Sequence, residues 1–168
     1  MAGFNMAEEF YIPRNLYGFS LSGFTSKLLW RLKPLDMCYN VWPNNIDRYL
    51  EMLIHDQPKH IVGLGTYPGV DQDFIRIETL AKNQFRNSVI EKEFPLSKKL
   101  LIKPFVKQVP GAKFASGLGN SWCNFVSWKI VRLIEGKILQ SQYSFMHIPN
   151  SFVFRNALET VELMLSPQ

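Results

Sequence analysis

The chain has 168 residues, 46% of them hydrophobic and 20% charged, with a net charge of +5. That length suits one domain, residues 1–168, with a core of useful size, and the composition excludes a disordered chain. The basic residues are scattered apart from Lys98, Lys99, Lys103 and Lys107. No RNP-like aromatic motif or helix-turn-helix pattern accompanies them, so no specific nucleic-acid partner is expected.

Residues 1–15 read as an irregular lead-in. They lack the basic start, continuous apolar run and small-residue cleavage site of a secretory signal, and the expected location is cytoplasmic. No apolar run approaches the roughly 20 residues that span a bilayer, so no membrane partner is expected. Residues 16–21 read as a first strand and 26–32 as a short helical piece ended by Pro34. Residues 37–42 alternate like a strand. After Pro43, the apolar residues Ile46, Tyr49, Leu50, Leu53 and Ile54 follow helical spacing, with Asn44 or Asn45 as cap and Pro58 as stop. HIVGLG, residues 60–65, has the continuous apolar character of a buried parallel strand. A turn-rich loop over 66–73 leads to a strand over 74–81. Residues 83–96 carry no clear pattern, and 99–108 read as a short amphipathic element. Residues 112–116 read as a strand. Asn120 or Ser121 caps a helix that runs to about Glu135, with Gly136 as its stop. A strand over 142–148 and a helix over 154–165 complete the chain. Strands alternating with helices predict an α/β three-layer sandwich, an open, twisted, mostly parallel sheet with helices on both faces. In such sheets chemistry collects at the carboxyl ends of the strands.

Two cysteines, Cys38 and Cys123, are expected to be reduced in that compartment. Neither lies in a CxxC, and no His/Cys cluster has zinc spacing, so no metal is expected. Cys123 falls in the first turn of its helix, where unpaired N–H groups and the helix dipole favour a thiolate. Such a nucleophile needs a basic partner and often a group that orients it. His147 ends an apolar strand just before Pro149 and can emerge on the same sheet edge. Glu78 interrupts an apolar alternation, as a solvent-facing residue or as a buried orienting partner. Spacing alone leaves core filling open for the cysteine and a structural role open for the histidine.

The order of these segments resembles the pyroglutamyl peptidase I (pyrrolidone carboxyl peptidase) family of cysteine peptidases, in a divergent and shortened form. IVGLGTYPG followed by IETLAKN places Glu78, Ala81 and Asn83 on the family's glutamate motif. SGLGNSWCN places Ser116, Gly119, Cys123 and Asn124 on its cysteine motif, and FMHIP places His147 on its histidine motif. The resemblance covers residue 37 to the C-terminus. It implies a hydrolase that removes an N-terminal pyroglutamyl or related group from a peptide or small amide, with no metal or organic cofactor. Cys123 would be the nucleophile, His147 the base and Glu78 the third member of a catalytic triad. Phe19, Phe24, Gly69, Arg86, Ser121 and Trp122 are the positions it implies for substrate binding. The family's N-terminal pocket loop keeps only Phe19 and Phe24 here, within GFSLSGF. The segment between Asn83 and Ser116 is abbreviated, and Arg86 lies closer to the glutamate than the family's arginine. A non-catalytic binding or scaffold module of the same fold is the alternative. The 13 Phe and 4 Trp leave room for a homo-oligomer interface.

Overall fold

The computed structural model describes residues 15–68 and 73–167. Its main sheet joins β1 (Leu16–Ser20), β2 (Met37–Asn40), β3 (His60–Tyr67), β4 (Ile75–Glu78), β7 (Ala112–Ala115) and β8 (Gln142–Pro149) in the order β2-β1-β3-β8-β4-β7. Every neighbouring pair is parallel except β4 with β8. A second sheet pairs β5 (Leu80–Lys82) with β6 (Lys99–Leu101).

Alternation along the strands sends successive side chains to opposite faces. On one face Phe19, Ile61, Tyr143 and Phe145 pack against α2 (Ile46–Asp56) and α3 (Trp122–Glu135). On the other, Val62, Leu64, Ile75, Ile77, Met146 and Ile148 pack against α1 (Gly23–Leu29) and α4 (Phe154–Leu165). The helices form where their apolar stripes meet these faces. Ile46, Tyr49 and Leu53 are the buried stripe of α2, and Ala157, Val161 and Met164 that of α4. Ser22 caps α1, its hydroxyl accepting from the Thr25 amide at 3.2 Å.

Three expectations are corrected. Residues 74–81 are two strands in different sheets. Thr79 is the switch: its N–H donates to the carbonyl of Ala115, the last residue of β7, while its carbonyl accepts from Ile102 after β6. The turn expected from residue 66 begins later, because β3 runs on to Tyr67. Residues 99–108 supply a three-residue strand and then irregular chain. The unpatterned stretch after Asn83 is organised by that side chain. Its Nδ2 donates to the carbonyls of Glu91 and Phe94, both at 2.8 Å, and its Oδ1 accepts from the amides of Ile90 and Glu91. Fully buried, Asn83 does for this loop what a ladder does for a strand.

Candidate active site

The register of three strands sets one row across the sheet. Gly65 of β3 pairs with His147 of β8, and His147 pairs with Arg76 of β4. Glu78, two residues beyond Arg76, shares its face by the period of two. Ile75 and Ile77 fall on the α1/α4 face, so Arg76 and Glu78 look toward α3. Cys123 is the second residue of α3, and its first turn descends on this row.

Gly65 is where the row and the helix meet. A Cβ there would lie 2.8 Å from Cys123 Sγ and 3.3 Å from His147 Cδ2. The missing side chain gives the sulfur its seat and sets it beside the imidazole. On the other edge of the ring, His147 Nδ1 donates to Glu78 Oε1 at 2.7 Å. That assignment follows from the carboxylate, which is wholly buried and surrounded by donors. The Gly117 amide donates to Oε2 at 3.1 Å, and Arg76 Nε lies 3.4 Å from Oε1. With Nδ1 carrying the proton, Nε2 is left as the basic nitrogen. Phe145 meets the imidazole edge to face at 5.1 Å and Tyr67 lies 6.1 Å away, so His147 is held in a nearly closed slot, its side chain 6% exposed.

The thiol departs from the expectation drawn from its helix position. Burial is the largest influence and pushes Cys123 up to about 12, and the charge of Glu78 adds to the rise. Its own backbone N–H and the Ser121 hydroxyl act the other way, as a helix start should, but they do not prevail. The net direction favours a thiol over a thiolate at the resting sulfur.

The expected pocket residues scatter. Ser121 is the exposed N-cap of α3, two residues before the sulfur in the chain. Trp122 is half-buried beside it, its indole donating to the Val41 carbonyl at 3.1 Å and stacking on Phe125 at 5.1 Å. Phe19 is 0% exposed, packed on Tyr49, Tyr143 and Phe145 behind the histidine, and so is core rather than pocket wall. Phe24 lies on the opposite face of the sheet, edge to face with Phe154 of α4. Arg86 is exposed, its guanidinium over the Phe85 ring. Its backbone is what reaches the site: its amide donates to the Asn120 carbonyl at 2.7 Å, bracing the turn before Cys123. Gly69 lies outside the described residues. Asn124 is a strut, its side chain bonding both backbone groups of Lys82 and tying β5 to α3.

Arg76 was not anticipated from the sequence. The signal was available in RIE, since alternation alone puts Arg76 and Glu78 on one face. Among the described residues no group of three or more His, Cys, Asp or Glu is placed to hold a metal ion, and no helix is long and apolar enough to cross a membrane.

This is an open α/β sheet with an acid–imidazole pair and a cysteine at its carboxyl end. Solved structures of pyroglutamyl and pyrrolidone carboxyl peptidases share its fold. Pyroglutamyl peptidase I from Bacillus amyloliquefaciens matches with a TM-score of 0.70 at 17% identity, over 89% of this chain and 90% of that one. A mutant pyrrolidone carboxyl peptidase from Pyrococcus furiosus gives 0.72 at 15% identity, over 89% and 95%. The Thermus thermophilus enzyme gives 0.64 at 19% identity, over 89% and 97%. No protein-family model matches the sequence, and no curated protein matches it.

Proposed function

We propose that the protein is a cysteine hydrolase that cleaves the amide after an N-terminal pyroglutamyl or related acyl group. The observation that carries this is the convergence of Cys123, His147 and Glu78, from three separate elements, on one face of one sheet end. The shared fold supports pyroglutamyl amides as the first substrates to test.

The resting thiol sets the order of events. Cys123 Sγ attacks the amide carbonyl as its proton passes to Nε2 of His147. Glu78 orients the ring and stabilises the imidazolium that forms. Backbone N–H groups in the first turn of α3 face the developing oxyanion. His147 then returns the proton to the departing amine, leaving an S-acyl enzyme. Water, deprotonated by His147, adds to the thioester, and the acid leaves as the thiol re-forms. Trp122 is the aromatic side chain next to the nucleophile and takes the part of acyl-pocket wall in this reading.

The test is release of a fluorescent amine from a pyroglutamyl amide by wild type and by Cys123→Ala. Release that disappears in the variant supports both chemistry and specificity. Wild type inert on pyroglutamyl amides but active on other N-terminally acylated amides rejects the specificity and keeps the chemistry. Release that persists in Cys123→Ala rejects the nucleophile.

A further inference from the structure

We infer that Arg76 is a positioning residue that holds the Glu78–His147 pair in place beside Cys123 and sets its charge against protonation of the imidazole. This rests on the proposed role of His147 as base. Four observations converge on it. Arg76 sits directly across the β4–β8 pairing from His147. Its Nε lies 3.4 Å from the same Oε1 that accepts from His147 Nδ1. Its Nη2 donates to the Gly117 carbonyl at 3.4 Å, while the Gly117 amide donates to Glu78 Oε2 at 3.1 Å. Its guanidinium lies 4.3 Å from the centre of the Tyr67 ring.

Gly117 fits this role. A Cβ there would stand 2.4 Å from Arg76 Nη2, so the glycine opens the space the guanidinium occupies. Arg76, Glu78 and Gly117 thus form a closed circuit that ties the turn leading to Cys123 to the carboxylate behind His147. Arginine suits it because one planar fork serves a carboxylate, a carbonyl and an aromatic face together.

The charge has a consequence of definite sign. Among the described residues, the polar and titratable groups around the His147 ring are Glu78 and Arg76 from β4, Cys123 from α3 and Tyr67 from β3. A buried carboxylate favours the imidazolium, and a guanidinium on that carboxylate opposes it. Removing the Arg76 charge therefore moves proton uptake by His147 to higher pH and removes working enzyme from the acid side.

The experiment is a proton NMR titration of the His147 C2–H, assigned by its loss in His147→Asn, and it needs no turnover. Arg76→Gln is expected to titrate about one pH unit above wild type. Arg76→Lys, which keeps the charge, is expected nearer to wild type than to Arg76→Gln. Should Arg76→Gln not fold, Gly117→Ala displaces the guanidinium instead and is expected to shift the same way by less. Equal titration of wild type and Arg76→Gln overturns the inference, as does Arg76→Lys moving as far as Arg76→Gln; where Arg76→Gln does not fold, an unmoved Gly117→Ala does the same. A shifted titration in a protein that cleaves no amide leaves this inference standing and rejects the proposed function. An unshifted one in an active enzyme does the reverse.

Discussion

The two faces of the sheet are built from the same strands and do different work. Toward α1 and α4, Ile75, Ile77, Met146 and Ile148 form a face of aliphatic and thioether side chains. Toward α2 and α3, the alternate positions of the same strands carry Arg76, Glu78 and His147, backed by Phe19, Tyr143 and Phe145. The two cysteines divide the same way. Cys38 packs against the α1/α4 face with its thiol donating to the Leu29 carbonyl, whereas Cys123 sits over Gly65 beside the imidazole. Burial raises both thiols, so neither is set apart by a lowered pKa. What distinguishes Cys123 is the imidazole beside it, held by a buried carboxylate.

Substitutions can break this division. The largest expected effect is on Cys123→Ala, which should lose amide hydrolysis by at least about 10³-fold with its circular dichroism unchanged, while Cys38→Ala keeps turnover. Glu78→Gln keeps the shape but not the charge that orients His147, and kcat/KM should fall on the order of 10²-fold. On the aliphatic face, Ile77→Ala should cost about 3 kcal/mol in urea unfolding, from a residue 0% exposed, with kcat of the folded fraction unchanged. A fall in kcat without loss of stability would erase the distinction between the faces.

The pH dependence of the thiol follows from its direction of shift. A thiol raised to about 12 loses thiolate steadily as pH falls below that value. Alkylation of Cys123 by iodoacetamide at pH 6 should run at least about tenfold slower than that of a small free thiol, and accelerate through the alkaline range. Rapid labelling at pH 6 would mean a thiolate–imidazolium resting pair instead. The smallest effect is expected at Phe24→Ala: facing α4, it should alter KM less than about twofold, within the range of a surface substitution.

How far the sequence reveals this site depends on the range of the signals. Cys123, His147 and Glu78 are marked by local features: a helix start, a strand end before proline, an acid inside an apolar run. The final helix is legible to the residue because its stripe is regular. Other features are tertiary. Whether Phe19 and Phe24 reach the pocket depends on which face each residue takes, and they take opposite ones. The helix-start rule for the thiol is local, and the burial that overrides it involves β3 and β8, which are remote in sequence and meet the sulfur at Gly65. Arg76 carries no local mark of its own, and only the β4–β8 register sets it opposite His147. The loop after Asn83 has no periodicity because one buried amide, not a repeating ladder, holds it.

The most direct measurement is intact-mass and peptide mapping after exposure to a pyroglutamyl chloromethyl ketone, in wild type, Cys123→Ala and His147→Ala. One adduct on Cys123 of the wild type, none on Cys38, none in Cys123→Ala and slowed labelling in His147→Ala is the expected result. No adduct in wild type, or labelling of Cys38 at the same rate, would contradict the assignment of Cys123 as a nucleophile served by His147.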